Sequence, residues 1–319
     1  MTGFPESPAG SASRADANAP DLAAEGGGGS LSGISLDDAE RADATAPDEP
    51  AREVAADVAQ QRLAIVNVAF SGTRGSTPWV LIDAGLHGSA GAIQRAADER
   101  FGVSPPAAII LTHGHFDHVG ALETLLERWD VPVYAHPLES PYLDGTASYP
   151  PPDPSVGGGL MSTLSRFFPR GPVDVSANLA DLPEDGTVPG MPGWTWIHTP
   201  GHTPGHVSLW RASDRLLISA DACITTQQES AYAAMTQEPE LHGPPAYFTQ
   251  DWQAARDSVQ ALAALQPEII VPGHGRPLRG EEMRRALDLL ASDFDTVARP
   301  REGTYVEDPA RAGDGSAYR

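Results

Sequence analysis

Residues 112–118 read Thr112-His113-Gly114-His115-Phe116-Asp117-His118, which places three imidazoles and one carboxylate within six residues. They follow the apolar stretch Ala107-Ala108-Ile109-Ile110-Leu111, so a short buried strand hands them to a loop at its own end. Neutral imidazole and carboxylate are donors suited to zinc, manganese or iron, and their clustering predicts a metal site. A loop that was merely rich in His would stand alone, but further His and Asp residues recur downstream in the same setting. His202 lies in Thr199-Pro200-Gly201-His202-Thr203-Pro204-Gly205-His206, Asp221 directly follows Leu216 to Ala220, and His274 lies in Val271-Pro272-Gly273-His274-Gly275. Each is unremarkable by itself, since a His in a Gly-Pro turn commonly serves only the turn. An apolar strand feeding a polar residue at its end, repeated, points to one rim of a sheet sandwich.

The elements that must position these residues can be read from periodicity. Arg62 to Phe70 and Trp79 to Asp83 read as paired strands, and Ser89 to Phe101 as a helix. Residues 107–111 form a buried strand, Ala121 to Trp129 an amphipathic helix, and Val131 to Ala135 another strand. A long excursion rich in Pro and Gly spans Pro137 to Pro183. Strands then resume at 194–197, 207–210 and 216–219, followed by a helix at Trp252 to Leu265, a strand at 268–271 and a helix at Glu281 to Thr296. Strands joined both by hairpins and by helices imply two sheet layers with helices packed outside.

Composition bounds the rest. The first fifty-odd residues are dominated by Ala, Asp, Glu, Ser and Gly and include Gly26-Gly27-Gly28-Gly29, too little apolar surface to offset ordering entropy. The expected organisation is a disordered acidic tail over 1–55, in which Ser35 to Ala42 could form a short helix, a catalytic domain over 56–299, and a C-terminal tail over 300–319. A net charge of −22 argues against nucleic acid as a partner, because such binding relies on Lys and Arg. The single cysteine, Cys223, excludes an intrachain disulfide and reads as a small buried hydrophobe. No run approaches 18 apolar residues and no secretory leader is legible, so no membrane partner and a cytoplasmic location are expected.

The ordered set His113-x-His115-x-Asp117-His118, His202, Asp221 and His274 resembles the metallo-β-lactamase-fold hydrolases, close in motif to the glyoxalase II and lactonase branches, over roughly residues 60–295. The resemblance implies an α/β fold, a four-layer αββα sandwich with two metal ions between the sheets at one edge. It implies that His113, His115 and His202 hold the first ion, that Asp117, His118 and His274 hold the second, and that Asp221 bridges them. Zinc is the first expectation, with manganese and iron(II) as the others. Asp83 matches a position that supports such sites, although an Asp at a hairpin end can equally cap its own turn. Two divalent ions flanking one water lower its pKa and yield a metal-bridging hydroxide, and Asp117 is the candidate to orient or carry the proton.

Departures from the subgroups narrow the substrate. β-Lactamases of this fold carry Cys or Ser where Asp221 stands, and glyoxalase II enzymes add a basic helical extension that is missing after His274. Signal lactonases place Tyr where this chain has Ile224, and nuclease members need basic grooves. Sulfur dioxygenases have a less complete second metal set. What survives is a hydrolase of a small ester, thioester or lactone, with a small molecule as its partner. The other classes kept open are an iron-dependent redox or dioxygenase protein of the same fold and a non-enzymatic metal-binding protein.

Outside the ligand set, His206 reads as a satisfied structural residue or a support for a ligand, and His198 as a brace for its turn. His136, His87 and His242 are candidates to face the cleft, His242 first. Tyr247 and Phe248 either grip an apolar portion of substrate or pack their loop.

Overall fold

The computed structural model describes residues 33–35, 50–236 and 239–319. Seven strands form the first sheet in the order β2-β3-β4-β5-β6-β7-β8: β2 Arg52–Ala55, β3 Val58–Leu63, β4 Val66–Ser71, β5 Val80–Ile82, β6 Ala108–Ile110, β7 Val133–Ala135 and β8 Leu179–Asp181. The first four are antiparallel neighbours, whereas β5 through β8 run parallel. The second sheet has the order β14-β13-β11-β10-β9, built from β9 Trp194–His198, β10 Val207–Arg211, β11 Leu216–Ala220, β13 Ile269–Pro272 and β14 Leu278–Arg279. A separate pair joins β1 Ile34–Ser35 to β12 Glu240–Leu241.

Side-chain alternation along the strands makes four layers out of two sheets. On β5 and β6, Val80, Ile82, Ala108 and Ile110 point to the inter-sheet core, where they meet Leu216, Ile218 and Val271. Their alternate neighbours Leu81 and Ile109 point outward to the helices Ala90–Phe101 and Leu122–Trp129. The second sheet repeats the pattern, sending Leu217 and Ile270 outward to the helices Trp252–Ala264 and Gly280–Ser292. A period of two on strands and an apolar stripe on each helix therefore produce the αββα sandwich expected from the sequence. On the first outer face, fully buried Trp79 stacks on Phe101 with centroids 4.6 Å apart and meets the edge of Trp129 at 5.5 Å.

Several expectations need correction. The stretch read as one strand from Arg62 to Phe70 is a hairpin that turns at Ala64, whose φ of 56° marks the tight reversal. The helix expected to run to Thr296 ends at Ser292, with a separate turn at Phe294–Val297. The excursion is partly regular: it holds the helices Ser140–Leu143 and Gly159–Leu164, and β8 extends the sheet. The C-terminal tail reading fails because residues 300–319 pack on the domain. Tyr305 and Ala317 are buried, the Tyr142 hydroxyl donates to Ala317 O at 2.6 Å, and Ala310 N donates to Gln250 O at 3.1 Å. Within the span read as an N-terminal tail, β1 and β2 are strands; the reading over 1–32 and 36–49, including the short helix beyond Ser35, lies outside the described residues. Among the described residues no helix is long and apolar enough to cross a membrane.

Candidate metal centre

Strand ends converge on one rim. His113 to His118 follow β6, with Asp117 and His118 in the short helix Phe116–Val119. Asp221 leaves β11, and His274 leaves the parallel neighbour β13, whose Pro272 pairs with Ala220. His202 sits in the tight connection between β9 and β10. All seven sequence-derived candidates are buried, and the structure brings them together. The donor atoms of His113, His115 and His202 lie within 4.8 Å of one another, as do those of Asp117, His118 and His274, and those of His113, His118 and Asp221. Asp221 Oδ2 lies 3.4 Å from His202 Nε2 and 3.1 Å from His274 Nε2, and its Oδ1 lies 3.5 Å from His118 Nε2, so one carboxylate touches both triads.

The imidazoles are held from behind through their other nitrogens. His113 Nδ1 meets Thr112 Oγ1 at 3.1 Å, His118 Nδ1 meets Asp83 Oδ2 at 2.9 Å, and His274 Nδ1 meets Ile65 O at 2.6 Å. Such partners fix ring orientation and leave the opposite nitrogen for a cation. That nitrogen is indeed unpartnered in two of these rings: Nε2 of His113 and His118, together with Asp221 Oδ1, are buried without a hydrogen bond. Buried polar atoms without partners are rare in folded proteins, and a cation among His113, His118 and Asp221 would satisfy all three. His115 Nδ1 is itself 2.9 Å from His202 Nε2. The residues present thus fit divalent ions.

Burial and crowding hold His113 and His115 far below the usual imidazole range, and burial takes His202 to about 3. These rings are therefore neutral and able to donate lone pairs. Burial works against the Asp221 charge, but His274 and His118 outweigh it and hold the carboxyl well below its ordinary value. Asp117 moves the other way: burial raises it, against the pull of His118 and His274.

Asp83 does not cap its own turn. Its carboxylate accepts from Thr112 N at 2.8 Å and from Thr112 Oγ1, and reaches His118, so it joins β5 to the ligand loop. His206 is both satisfied and supporting: Nδ1 meets Thr199 Oγ1 at 2.8 Å while Nε2 accepts from Asp221 N at 3.1 Å. His198 braces the turn through Pro204 O at 2.8 Å and stacks on His136 with centroids 4.2 Å apart. His242, ranked first for the cleft, pairs instead with Glu240 at 3.0 Å on the β1–β12 side, and His87 is exposed. Phe248 lies against the His115 ring at 4.6 Å between centroids, and Phe168 lies 6.2 Å from Phe248 and 5.4 Å from Phe116. Tyr247 and Phe248 are both buried, so each packs its loop, and Phe248 does so on a ligand ring. Sequence reasoning missed Asn67, whose Nδ2 donates to Pro272 O and Gly275 O around His274, and Glu139, discussed below. An Asn within a strand carries no ligand-like signal; only the fold brings it to the loop.

Comparison with known proteins agrees with this geometry. Residues 66–274 match the profile of the metallo-beta-lactamase superfamily. The protein named Probable metallo-hydrolase YflN from Bacillus subtilis (strain 168) is 50% identical over 220 residues, covering 69% of this chain and 83% of that one. Probable metallo-hydrolase YybB from the same organism is 30% identical over 198 residues, covering 62% and 76%. Among solved structures, a beta-lactamase domain protein from Burkholderia ambifaria superposes with a TM-score of 0.52 at 20% identity, covering 77% of this chain and 76% of that one, a likeness of fold.

Proposed function

This chain belongs to the metallo-β-lactamase superfamily, and we propose that within it the protein is a metal-dependent hydrolase of a small ester, thioester or lactone. The observation that carries this is one carboxylate, Asp221, shared between two triads of buried donors, with His113 Nε2, His118 Nε2 and Asp221 Oδ1 left without hydrogen bonds. His113, His115 and His202 would hold one divalent ion, Asp117, His118 and His274 a second, and Asp221 both, with zinc the first candidate. Bound there, the ions would supply Lewis acidity, lowering the pKa of a water and polarising the substrate oxygen. Two relatives bear the name metallo-hydrolase, which supports hydrolysis as the reaction class.

The chain's own residues do the rest. Asp117, with one oxygen 3.4 Å from His274 Nε2 at the shared rim, is the carboxylate that would orient the nucleophilic water and carry its proton to the leaving group. Asp83 orients His118, and His206 fixes the backbone at Asp221. Half-buried Phe116 and Phe168, backed by Phe248 on the His115 ring, form an apolar wall beside the ligand loop that suits an acyl or ring portion of substrate.

The test is a panel of aryl esters, acyl thioesters and lactones, assayed before chelation, after it, and after metal is restored. The expected result is hydrolysis of at least one class that disappears with chelator and returns with zinc or manganese. Hydrolysis of none, with oxygen consumed by the iron-loaded protein, would replace this reading with a redox one.

A further inference from the structure

We propose that Glu139 is the positioning residue that sets the distance between the two loops carrying the first ion's ligands. The assignment rests on the metal-centre reading above. Glu139 lies in the turn Pro137–Glu139 just beyond β7, and β7 runs parallel to β6, so the turn emerges at the same rim as His113. Its side chain is completely buried. Oε1 accepts from Thr203 Oγ1 and from Gly205 N, both at 2.8 Å. Oε2 accepts from Gly114 N at 2.9 Å and from the Tyr149 hydroxyl. Gly114 stands between His113 and His115, and Thr203 is next to His202. One carboxylate therefore ties the loop of two proposed ligands to the loop of the third.

The two glycines show how closely the clamp fits. A Cβ on Gly205 would stand 2.8 Å from Glu139 Cγ and 2.9 Å from Oε1, and one on Gly114 would stand 2.8 Å from the Tyr149 hydroxyl. Neither loop has room for a side chain where Glu139 and Tyr149 enter. Tyr149 also leans on His115, with ring centroids 4.4 Å apart, so the clamp touches a ligand ring as well as its backbone. The donor count requires a carboxylate. Four donors meet two oxygens, and an amide would turn its NH₂ towards donors and leave buried N–H or O–H groups without partners. The second triad has its own supports, Asp83 behind His118 and Ile65 O behind His274, and Glu139 has no hydrogen bond to any of them.

The experiment is a cobalt(II) titration followed by visible absorption, with near-UV circular dichroism to confirm folding. His202→Ala and His274→Ala first mark which absorption band and affinity belong to each triad. Glu139→Gln is then expected to weaken the ion marked by His202→Ala about 10- to 100-fold, the usual effect of losing a residue behind the ligands, and to leave the other unchanged. Should Glu139→Gln not fold, Thr203→Val removes a single donor to Oε1 and is expected to weaken the same ion to a smaller degree. Unchanged affinity for both ions in a folded variant, or an equal loss at both, would overturn the assignment, since a general structural role moves the two together. A wild-type protein that takes up no cobalt overturns the metal reading itself, and this outcome is seen before any variant is made.

Discussion

Asp221 illustrates how much depends on single atoms. Its Oδ2 is within 3.4 Å of imidazole nitrogens from both triads, and its backbone N–H is held by His206. Asp221→Ala is expected to abolish the shared carboxylate and lower turnover by roughly three or more orders of magnitude, since it removes the group that would hold both ions at nucleophile-forming distance. Steady-state kinetics on the reconstituted variant checks this, and near wild-type kcat would show that one ion suffices. Asp83→Asn keeps the shape but weakens the bond to His118; a 10- to 100-fold loss of affinity for the ion of the second triad is expected in a metal titration. The proposed ligands were legible because each follows an apolar strand and each is a residue type with few other reasons to sit there. Glu139 was not. Its partners are mainly backbone N–H groups and hydroxyls 10 to 66 residues away in sequence, and no spacing rule marks such a contact.

At the scale of elements, apolar strands were readable and polar ones were not. β3 carries Gln60, Gln61 and Arg62, yet every residue of it is buried. The structure accommodates Gln61 and Arg62 because Gln61 Nε2 donates to Ala92 O and Arg62 to Met235 O, acceptors that only tertiary packing supplies, and Arg62 also donates to Ala64 O in its own hairpin. The hairpin between β3 and β4 was hidden for a related reason, since its turn at Ala64-Ile65 lacks Gly, Asn or Pro. Where the chain leaving β7 meets the end of β9, His136 stacks on His198 in a pH-sensitive contact. Burial, then the neighbouring His198 charge, lowers His136 from 6.5 to about 4. Between those values the unfolded chain binds a proton that the folded one does not, so stability is expected to fall as pH drops from about 6.5 to about 4. Urea unfolding midpoints at pH 7 and pH 5 should differ less in His136→Gln than in the wild type; equal differences would assign the pH dependence elsewhere.

For the molecule as a whole, the C-terminal segment behaves as a strap and not as a tail. Tyr142 holds Ala317 and stacks on Tyr149 at 3.7 Å, while Arg311 pairs with Asp251, the cap of the helix Trp252–Ala264. Low apolar content concealed it, because the strap is held by a few aromatic and main-chain contacts and has no periodic face. Removing residues 300–319 is expected to lower the melting temperature by more than about 5 °C, on the order of 1–2 kcal/mol for a domain of this size, as scanning calorimetry would register. The sandwich itself is set by the two outer helix layers, and Trp79→Ala in the first of them is expected to cost about 3–5 kcal/mol in chemical denaturation. What joins sandwich, strap and clamp is the claim that they hold a pair of ions for hydrolysis. The measurement that tests this most directly is hydrolysis by the metal-depleted protein as zinc is added in known equivalents, with bound metal determined at each point. Activity is expected to rise with bound metal and level off at about two ions per chain; a protein that binds none, or that hydrolyses its substrate regardless of metal, would contradict a two-ion hydrolase.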